Sequence, residues 1–227
     1  MKGVIGMSGL LQAVSTRDAL VAKLREQILN GELRPGDSLT ETAVAATFGV
    51  ARPTVRSALQ VLVSRNLVQD LGRRSLIVPV LGLTDVDDLF YVRTPLEMQC
   101  VRSIVKSKLP LREAELRLAD LANLSDDATW ADRVEIHSAL HTAIIGAVGS
   151  SRLGRIYATL QDEIQLCLAQ LQPWYPRPQD LAEEHRLLLD AISSGSLRRA
   201  ETEMREHLTR AVSNFSVVGS VTGKVNF

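Results

Sequence analysis

The chain has 227 residues, of which 45% are apolar and 4% aromatic, and its formal net charge is zero. This composition excludes a disordered or collagen-like chain and predicts a helix-rich aliphatic core in one large or two modest domains. No apolar run approaches the ~18 residues of a membrane span. We therefore expect no membrane partner. Cys100 and Cys167 both lie in apolar helical patterns, so we expect reduced core thiols and a cytoplasmic location.

Charge is distributed unevenly along the chain. Residues 1–80 carry 10 Lys and Arg against 6 Asp and Glu, whereas the remainder carries 16 against 20. A basic N-terminal part joined to a more acidic body is typical of a nucleic-acid-binding domain attached to a domain that does not contact nucleic acid.

The N-terminal part predicts a helix-turn-helix. After a tail expected to be disordered (residues 1–11), residues 16–30 form an amphipathic helix that ends at Gly31. Thr40 is the expected N-cap of a second helix, in which Ala43, Val44 and Phe48 supply the apolar face. Gly49 ends that helix because glycine tolerates a positive φ, and a third helix begins near Pro53.

The third helix is the candidate DNA reader. Val55, Leu59 and Leu62 form its buried stripe, which leaves polar side chains at its exposed N-terminal end. In a helix-turn-helix this end enters the major groove, and arginine grips guanine bidentately there. Two β-prone runs, 67–71 and 76–80, flank a basic tip and complete a winged helix. The predicted DNA-contacting residues are Thr40, Arg52, Thr54, Arg56, Ser57 and Gln60, with Arg73 and Arg74 at the wing tip. Taken alone, the pattern also fits an ordinary helical hairpin with a solvated basic face.

From residue 84 the pattern is helical almost to the end of the chain. We predict six helices: 84–108, capped by Thr84 and with Pro95 inside it, 110–124 starting at or near Pro110, about 126 or 130 to 148, 152–172, 179–192 and 197 to about 215. Together they predict a mainly α fold, in which a winged helix-turn-helix (residues 12–80) is joined by a linker (81–84) to an all-α antiparallel bundle (85–216). Residues 217–227 have no strong pattern and are expected to form a tail.

The four histidines of the chain have a notable spacing. His137 and His141 are four residues apart, on one face of one predicted helix. His185 and His207 lie on consecutive helices, equidistant from the turn near residue 196, so an antiparallel hairpin places them opposite each other. Each histidine alone would more often be a surface or hydrogen-bonded core residue. Together they can converge on a metal, because neutral imidazole is a good donor to zinc, nickel, copper or cobalt.

The N-terminal region resembles the GntR superfamily of bacterial transcription regulators. The resemblance is carried by residues 33–68, LRPGDSLTETAVAATFGVARPTVRSALQVLVSRNLV, and covers about residues 12–80. The usual small-Arg-Thr-Pro-Val-Arg run appears as residues 51–56, with both arginines kept and Thr and Pro exchanged. Where the family's wing carries a glycine after its basic pair, this chain has Ser75. The resemblance implies a homodimer that binds double-stranded operator DNA.

Residues 84–215 resemble the FCD ligand-binding domain of FadR-type GntR regulators. The matching residues are Arg93-x2-Leu96-Glu97, His141 nine residues before Ser150 with Arg152-Leu153 following, Glu184-His185, and Met204-x2-His207-Leu208. In metal-containing members an Asp precedes three such histidines, and here His137 stands in its place. The resemblance implies a divalent transition metal, with zinc or nickel preferred, held by His137, His141, His185 and His207. It also implies that Arg93 binds the carboxylate of a small organic acid effector. Otherwise, Arg93 would form a helix-surface ion pair with Glu97.

These features predict a metabolite-responsive transcription regulator, most of which are repressors. Two alternatives stay open. A direct metal sensor would use the metal itself as the signal, and a metalloenzyme would use an open histidine site to activate water. For the enzyme, Glu184 is the acidic residue next to His185, but the sequence carries no strong general-base motif.

Overall fold

Three helices and a short hairpin form the N-terminal domain. In this computed structural model, which describes residues 15–72, 76–169 and 178–222 (without the side chains of residues 178 and 216–222), the elements follow the order expected for a winged helix. They are α1 (Thr16–Leu29), α2 (Glu41–Phe48), α3 (Arg52–Ser64), β1 (Gln69–Asp70) and β2 (Leu76–Ile77). The two strands pair antiparallel, with Gln69 opposite Ile77, and Ser38 forms an additional bridge to Ile77.

Local signals set the turn between α2 and α3. The Thr40 hydroxyl accepts a hydrogen bond from the Ala43 N–H (3.2 Å) and caps α2, as predicted. Gly49 takes the left-handed conformation (φ 63°) that ends α2. Val44 is buried and Phe48 half-buried, but Ala43 is exposed, so the predicted apolar face of α2 is narrower than expected.

The strands of the wing are shorter than the predicted runs. Leu67, Val68 and Val78 are buried in the domain core beside Val55, whereas the paired strands span two residues each. The predicted apolar runs are longer than the paired strands because they also include residues that pack into the domain core outside the ladder. The tip, including the predicted DNA contacts Arg73 and Arg74, lies outside the described residues.

The described part of the C-terminal domain contains six helices, as predicted. They are α4 (Leu83–Ser107), α5 (Arg112–Ala122), α6 (Trp130–Ala147), α7 (Ser151–Ala169), α8 (Pro178–Ser193) and α9 (Leu197–Thr222). Helix α4 packs along α9, α5 lies between α6 and α8, and α6 also packs on α7. Pro95 lies inside α4, which continues on both sides of it. The predicted end of α7 at residue 172 falls outside the described residues.

The start of α4 differs from the prediction. Thr84 was expected to cap this helix, but Thr84 lies within its first turn. Gly82 is the N-cap residue of α4, and its N–H donates a hydrogen bond to the Asp85 carboxylate (2.8 Å). The helix begins at Leu83, before Thr84, so Thr84 cannot be its N-cap, and the Asp85 carboxylate in the first turn interacts favourably with the helix dipole.

Two other helix ends were also predicted wrongly. Lys108 adopts a left-handed conformation (φ 51°) that ends α4, so Pro110 belongs to the connection and α5 begins at Arg112. At the other end of the domain, α9 continues to Thr222 instead of ending near Phe215. Residues 216–222 contain one glycine and no proline, and nothing in them terminates a helix whose earlier turns are held by packing. The expected tail thus begins later than residue 217.

Packing of α4–α9 produces an aliphatic core in which polar groups are also enclosed. Leu140, Ile144 and Leu188 are buried, and so are the two cysteine thiols, which are free. Burial raises the pKa of both the Cys100 and the Cys167 thiol to about 12, so neither is a reactive thiolate at neutral pH. Across the residues that the structure describes, the helices are too short or too polar to traverse a lipid bilayer.

The two domains are in direct contact. Leu166 of α7 is buried in the core of the winged-helix domain, and the Asn66 side-chain amide donates to Glu163 (2.8 Å). Arg25 of α1 reaches across to two carboxylates, Asp162 and Glu135 (3.2 Å each). The Arg25 side chain is only 20% exposed. The winged-helix domain and the bundle that carries the histidines are therefore held together by one apolar contact and several polar ones.

Candidate nucleic-acid interface and candidate metal centre

The exposed face of α3 presents three of the predicted DNA-contacting residues. Arg52, Arg56 and Gln60 follow at intervals of four residues and are exposed, so their side chains line one side of the helix. Thr54 and Ser57 are half-buried at its flank. Thr40 is exposed as well, but its hydroxyl is engaged in capping α2.

Glu41, which the sequence reasoning did not select, holds the two arginines together. Arg56 forms two hydrogen bonds to the Glu41 carboxylate, Nε to Oε1 at 2.6 Å and Nη2 to Oε2 at 3.0 Å. Arg52 Nη2 lies 3.6 Å from the same carboxylate. Hydrogen bonding from Arg56 lowers the pKa of Glu41 and raises the pKa of Arg56, so both groups are charged at neutral pH. Both arginine side chains are still 61% exposed, which leaves their outer nitrogens accessible to a phosphate or a base edge.

The four histidines converge inside the C-terminal domain. Helix α6 contributes His137 and His141, α8 contributes His185 and α9 contributes His207, and all four are buried. One nitrogen of each lies within 4.8 Å of the others. The convergence predicted from sequence spacing is therefore present. We refer to these four residues as the histidine cluster.

Three of the imidazoles are oriented from outside by hydrogen bonds to their Nδ1 atoms. His141 Nδ1 lies 2.9 Å from Glu97 Oε2, His207 Nδ1 lies 3.0 Å from Glu184 Oε1, and His185 Nδ1 lies 2.7 Å from the Leu181 carbonyl oxygen. Carboxylates and carbonyls only accept hydrogen bonds, so each Nδ1 carries the proton and each Nε2 presents a lone pair inwards. This outer arrangement is the one that orients metal-binding histidines in proteins.

The inward nitrogens fit a metal better than they fit each other. His141 Nε2 lies 3.2 Å from His185 Nε2 and 3.3 Å from His207 Nε2. With the protons on Nδ1, these short contacts bring lone pairs together without a hydrogen to share, which is repulsive unless a cation lies between them. Around tetrahedral zinc, with Zn–N of ~2.0–2.1 Å, ligand nitrogens are separated by ~3.3–3.4 Å. His137 Nδ1 is also buried, with no hydrogen-bond partner among the described residues.

Burial keeps three of the imidazoles, those of His137, His141 and His185, neutral. It lowers the pKa of His141 to about 4 and holds the pKa of His137 and His185 well below the ordinary value, with neighbouring imidazoles adding to the effect. Neutral imidazole is the form that binds a metal, so these three residues need lose no proton at neutral pH.

Beside the histidine cluster lies a buried ion pair. Arg93 and Glu97 are each only 1% exposed, and Arg93 Nε donates to Glu97 Oε1 (2.5 Å). The predicted alternative, a helix-surface pair, is therefore wrong, because these two positions follow the buried stripe of α4 that also includes Cys100 and Ile104. Tyr157 of α7 donates its hydroxyl to the same carboxylate (2.6 Å).

The charges of this pair are stabilised mutually. Burial opposes the ionisation of Glu97, but Arg93 and His141 hold its pKa well below the ordinary value. Arg93 remains protonated because the attraction of Glu97 outweighs the cost of burial. Arg93 Nη2 is buried without a hydrogen-bond partner in the described part of the chain, so one cationic donor remains available.

Glu184 is held by two hydrogen-bond donors beside the histidine cluster. Its Oε1 accepts hydrogen bonds from His207 Nδ1 and Arg210 Nε, each at 3.0 Å. Although burial raises the pKa of Glu184, these partners lower it further than burial raises it, which makes the group a poor proton acceptor.

Tyr157 and the Leu181 carbonyl had no signal in the sequence, whereas Glu97 was identifiable only as a neighbour of Arg93.

Comparison with known proteins assigns the family. The sequence profile described as "Bacterial regulatory proteins, gntR family" matches residues 16–78, and the FCD domain profile matches residues 88–210. The chain is 23% identical to the HTH-type transcriptional regulator YdhC of Bacillus subtilis (strain 168), over 82% of this chain and 84% of the relative. It is 27% identical to the gluconate operon transcriptional repressor of the same organism, over 81% and 78% respectively.

The fold of a solved structure agrees. A GntR transcriptional regulator from Rhodococcus sp. RHA1 superposes with a TM-score of 0.72 at 22% identity, covering 88% of this chain and 97% of that one. The matched families and relatives are transcription regulators rather than enzymes. The chain therefore belongs to the gntR family of DNA-binding bacterial transcription regulators, in the branch that joins a helix-turn-helix to an FCD domain.

Proposed function

We propose that the C-terminal domain binds a divalent transition metal, zinc or nickel, through the histidine cluster and uses it to bind a small organic acid. The observation that carries the proposal is the position of His141 Nε2, 3.2 Å from His185 Nε2 and 3.3 Å from His207 Nε2, with the Nδ1 atom of each of these rings held by an outer acceptor. The metal would supply positive charge to a carboxylate. Because His137 replaces an anionic ligand with a neutral one, the site retains more positive charge, which favours an anionic effector.

Arg93 would bind the same carboxylate. Arg93 lies close to the histidine cluster because Glu97 bonds both Arg93 Nε and His141 Nδ1, and Arg93 Nη2 is a buried cationic donor without a hydrogen-bond partner among the described residues. A carboxylate would give Nη2 the charge-assisted hydrogen bond that it lacks among the described residues. Glu97 would keep Arg93 oriented while also fixing the ring of His141.

At the DNA end, we propose that two copies of the chain bind a pseudo-palindromic operator in the cytoplasm, with one α3 per half-site. Arg52, Arg56 and Gln60 would contact base edges or phosphates, supported by Thr40, Thr54 and Ser57 and by Arg73 and Arg74 of the wing. We propose that operator binding represses transcription, because the relative from Bacillus subtilis is itself an operon repressor.

The effector signal would reach the DNA reader through α6. This helix carries His137 and His141 and also contacts α1 at two points, where Glu135 pairs with Arg25 (3.2 Å) and the Ala131 N–H donates to Asn30 Oδ1 (2.9 Å). A ligand that favours one position of α6 would therefore bias the placement of α1. To change operator affinity it must bind the two arrangements with different affinity.

The test is a thermal-shift screen of gluconate, other sugar acids and dicarboxylates, with and without chelator, followed by gel shifts with operator DNA. An acid that binds only the folded form raises the melting temperature, and we expect this rise only in the metal-loaded protein and not in Arg93→Met. A rise that is unchanged by chelator and by Arg93→Met would refute metal-assisted binding.

A direct metal sensor is the second candidate. It is favoured by the fact that four nitrogen donors are enough to complete a tetrahedral zinc site, leaving no position for a carboxylate. Chelation alone would then change operator affinity, whereas in the first proposal operator affinity changes only when an organic acid is added.

A further inference from the structure

A cavity lies away from the histidine cluster, where the two domains meet. It is open to solvent on one side, has a volume of about 770 Å³, and is lined by α5, α6 and α7 together with Arg25 of α1 in the winged-helix domain. Cavities of ~300–1,000 Å³ are typical of small-molecule sites. We call it the interdomain cavity; its floor is formed by the small side of α6, namely Ala139, Ala143, Gly146 and Ala147.

The interdomain cavity and the histidine cluster use opposite sides of α6. Residues 139, 142, 143 and 146 line the cavity and recur at helical intervals, whereas His137 and His141 project about 150° away at 100° per residue. The two sites therefore share α6 but lie on different faces of it.

Two buried polar atoms in the cavity wall have no hydrogen-bond partner within the described part of the chain. Ser138 is 4% exposed, and its Oγ has no hydrogen-bond partner among the described residues. The Gln161 amide is oriented by Nε2, which donates to the Ser138 carbonyl (3.4 Å) and to Thr142 Oγ1. This orientation leaves the buried Gln161 Oε1 unpartnered in the same described region. Buried polar groups without partners are costly, and a ligand can relieve that cost.

The charged residues around the cavity are balanced and mostly paired. Arg25, Arg112 and Arg117 face Glu113, Glu135 and Asp162. Arg25 is bonded to Asp162, Glu135 and Gln165, and Arg117 to Glu113 and Asp120. Arg112 is exposed at the rim. The cavity wall therefore has little net charge with which to attract a charged ligand.

We infer that the interdomain cavity binds an uncharged small molecule with an apolar body and a hydroxyl or amide group. The apolar body would cover the alanine floor of α6. The hydroxyl or amide N–H would donate to Gln161 Oε1, while Ser138 Oγ donates to the ligand oxygen. Because α1 contributes part of the wall, the occupied cavity would also hold the contact between the domains. This site does not depend on the proposed metal and carboxylate chemistry.

The test uses benzyl alcohol and benzamide as probes on the full-length protein, with benzoate and benzylammonium as charged counterparts, followed by saturation-transfer NMR and thermal shift. Ala143→Phe fills the cavity, and Ala119→Phe places the same side chain on an exposed position of α5 outside it. We expect both neutral probes to bind the wild type and Ala119→Phe, and to bind Ala143→Phe at least ~10-fold more weakly.

Gln161→Leu provides the second variant if Ala143→Phe does not fold. It removes the free acceptor, and we expect neutral probes to bind about 3–10-fold more weakly, which corresponds to one hydrogen bond. The inference is overturned if the neutral probes do not bind, if neither variant weakens them, or if benzoate binds equally well. Probe binding should persist in the double variant His185→Ala, His207→Ala; its loss there would place the probes in the histidine cluster and overturn the inference. Failure of the metal proposal alone would leave these results unchanged.

Discussion

Removing the charge of Glu97 provides a strong test of the buried network. In Glu97→Gln, Arg93 stays 1% exposed but has no counter-charge, and His141 loses its carboxylate acceptor. Removing one partner of a buried ion pair destabilises a protein by about 3–5 kcal/mol, and here exposure is too small for solvent screening to reduce the effect. For a chain of this size, that corresponds to a fall in melting temperature of roughly 6–20 °C.

The chain offers a matched control. Glu113 and Arg117 also form a Glu–Arg pair four residues apart on one helix, at 2.8 Å, but their side chains are 59% and 37% exposed. Glu113→Gln should change the free energy of unfolding by less than about 0.5 kcal/mol. Both variants would be denatured with urea in the presence of chelator, with helix content followed by circular dichroism.

Metal affinity supplies an independent measurement of the same variant. Mutation of an outer-shell partner typically weakens metal binding about 10–100-fold, so Glu97→Gln, which replaces a charged acceptor by a neutral one, should show this loss in a competition titration while Glu113→Gln does not. A Glu97→Gln protein within 1 kcal/mol of wild type would refute the buried-pair reasoning.

The remaining predictions concern the DNA face and the histidines. Arg56→Ala should abolish operator binding in a gel shift without changing the circular dichroism spectrum, and intact binding would contradict the assignment of α3 as the reader. Glu41→Gln removes the carboxylate that neutralises Arg56, so fluorescence anisotropy should show tighter binding to non-operator duplex and a smaller preference for the operator. The double variant His185→Ala, His207→Ala should lose its metal by elemental analysis, and full retention would eliminate the histidine cluster as the site. In the metal-free protein, burial lowers the pKa of His141 to about 4, below its value in the unfolded chain. The stability that depends on neutral His141 should therefore be fully present above about pH 6.5 and fall towards pH 4. Equal urea midpoints at pH 7.5 and pH 5 would count against neutral buried imidazoles.

The order and type of elements were predictable from sequence because the signals that specify them are local. The Thr40 cap and the Gly49 turn act within a few residues, so the helix-turn-helix follows from the sequence directly. The convergence of the four histidines was predictable for a similar reason. His137 and His141 lie one helical turn apart, and an antiparallel hairpin brings His185 and His207 level with each other.

Contacts between distant segments were decided by the tertiary structure. In the sequence, Arg93 and Glu97 resemble Glu113 and Arg117, since spacing along a helix does not reveal which face its neighbours cover. The same holds for Thr84, which lies inside α4 rather than at its N-cap, and for the end of α9, which depends on packing rather than on a stop signal.

The sequence alone therefore determined the family and the convergence of the four histidines, and it predicted which helix reads DNA. Only the folded chain decided that the Arg93–Glu97 pair is buried beside those histidines, and that α6 links them to α1. The physical reason is that burial and long-range hydrogen bonding depend on how whole helix faces pack together, and no short stretch of sequence encodes that packing.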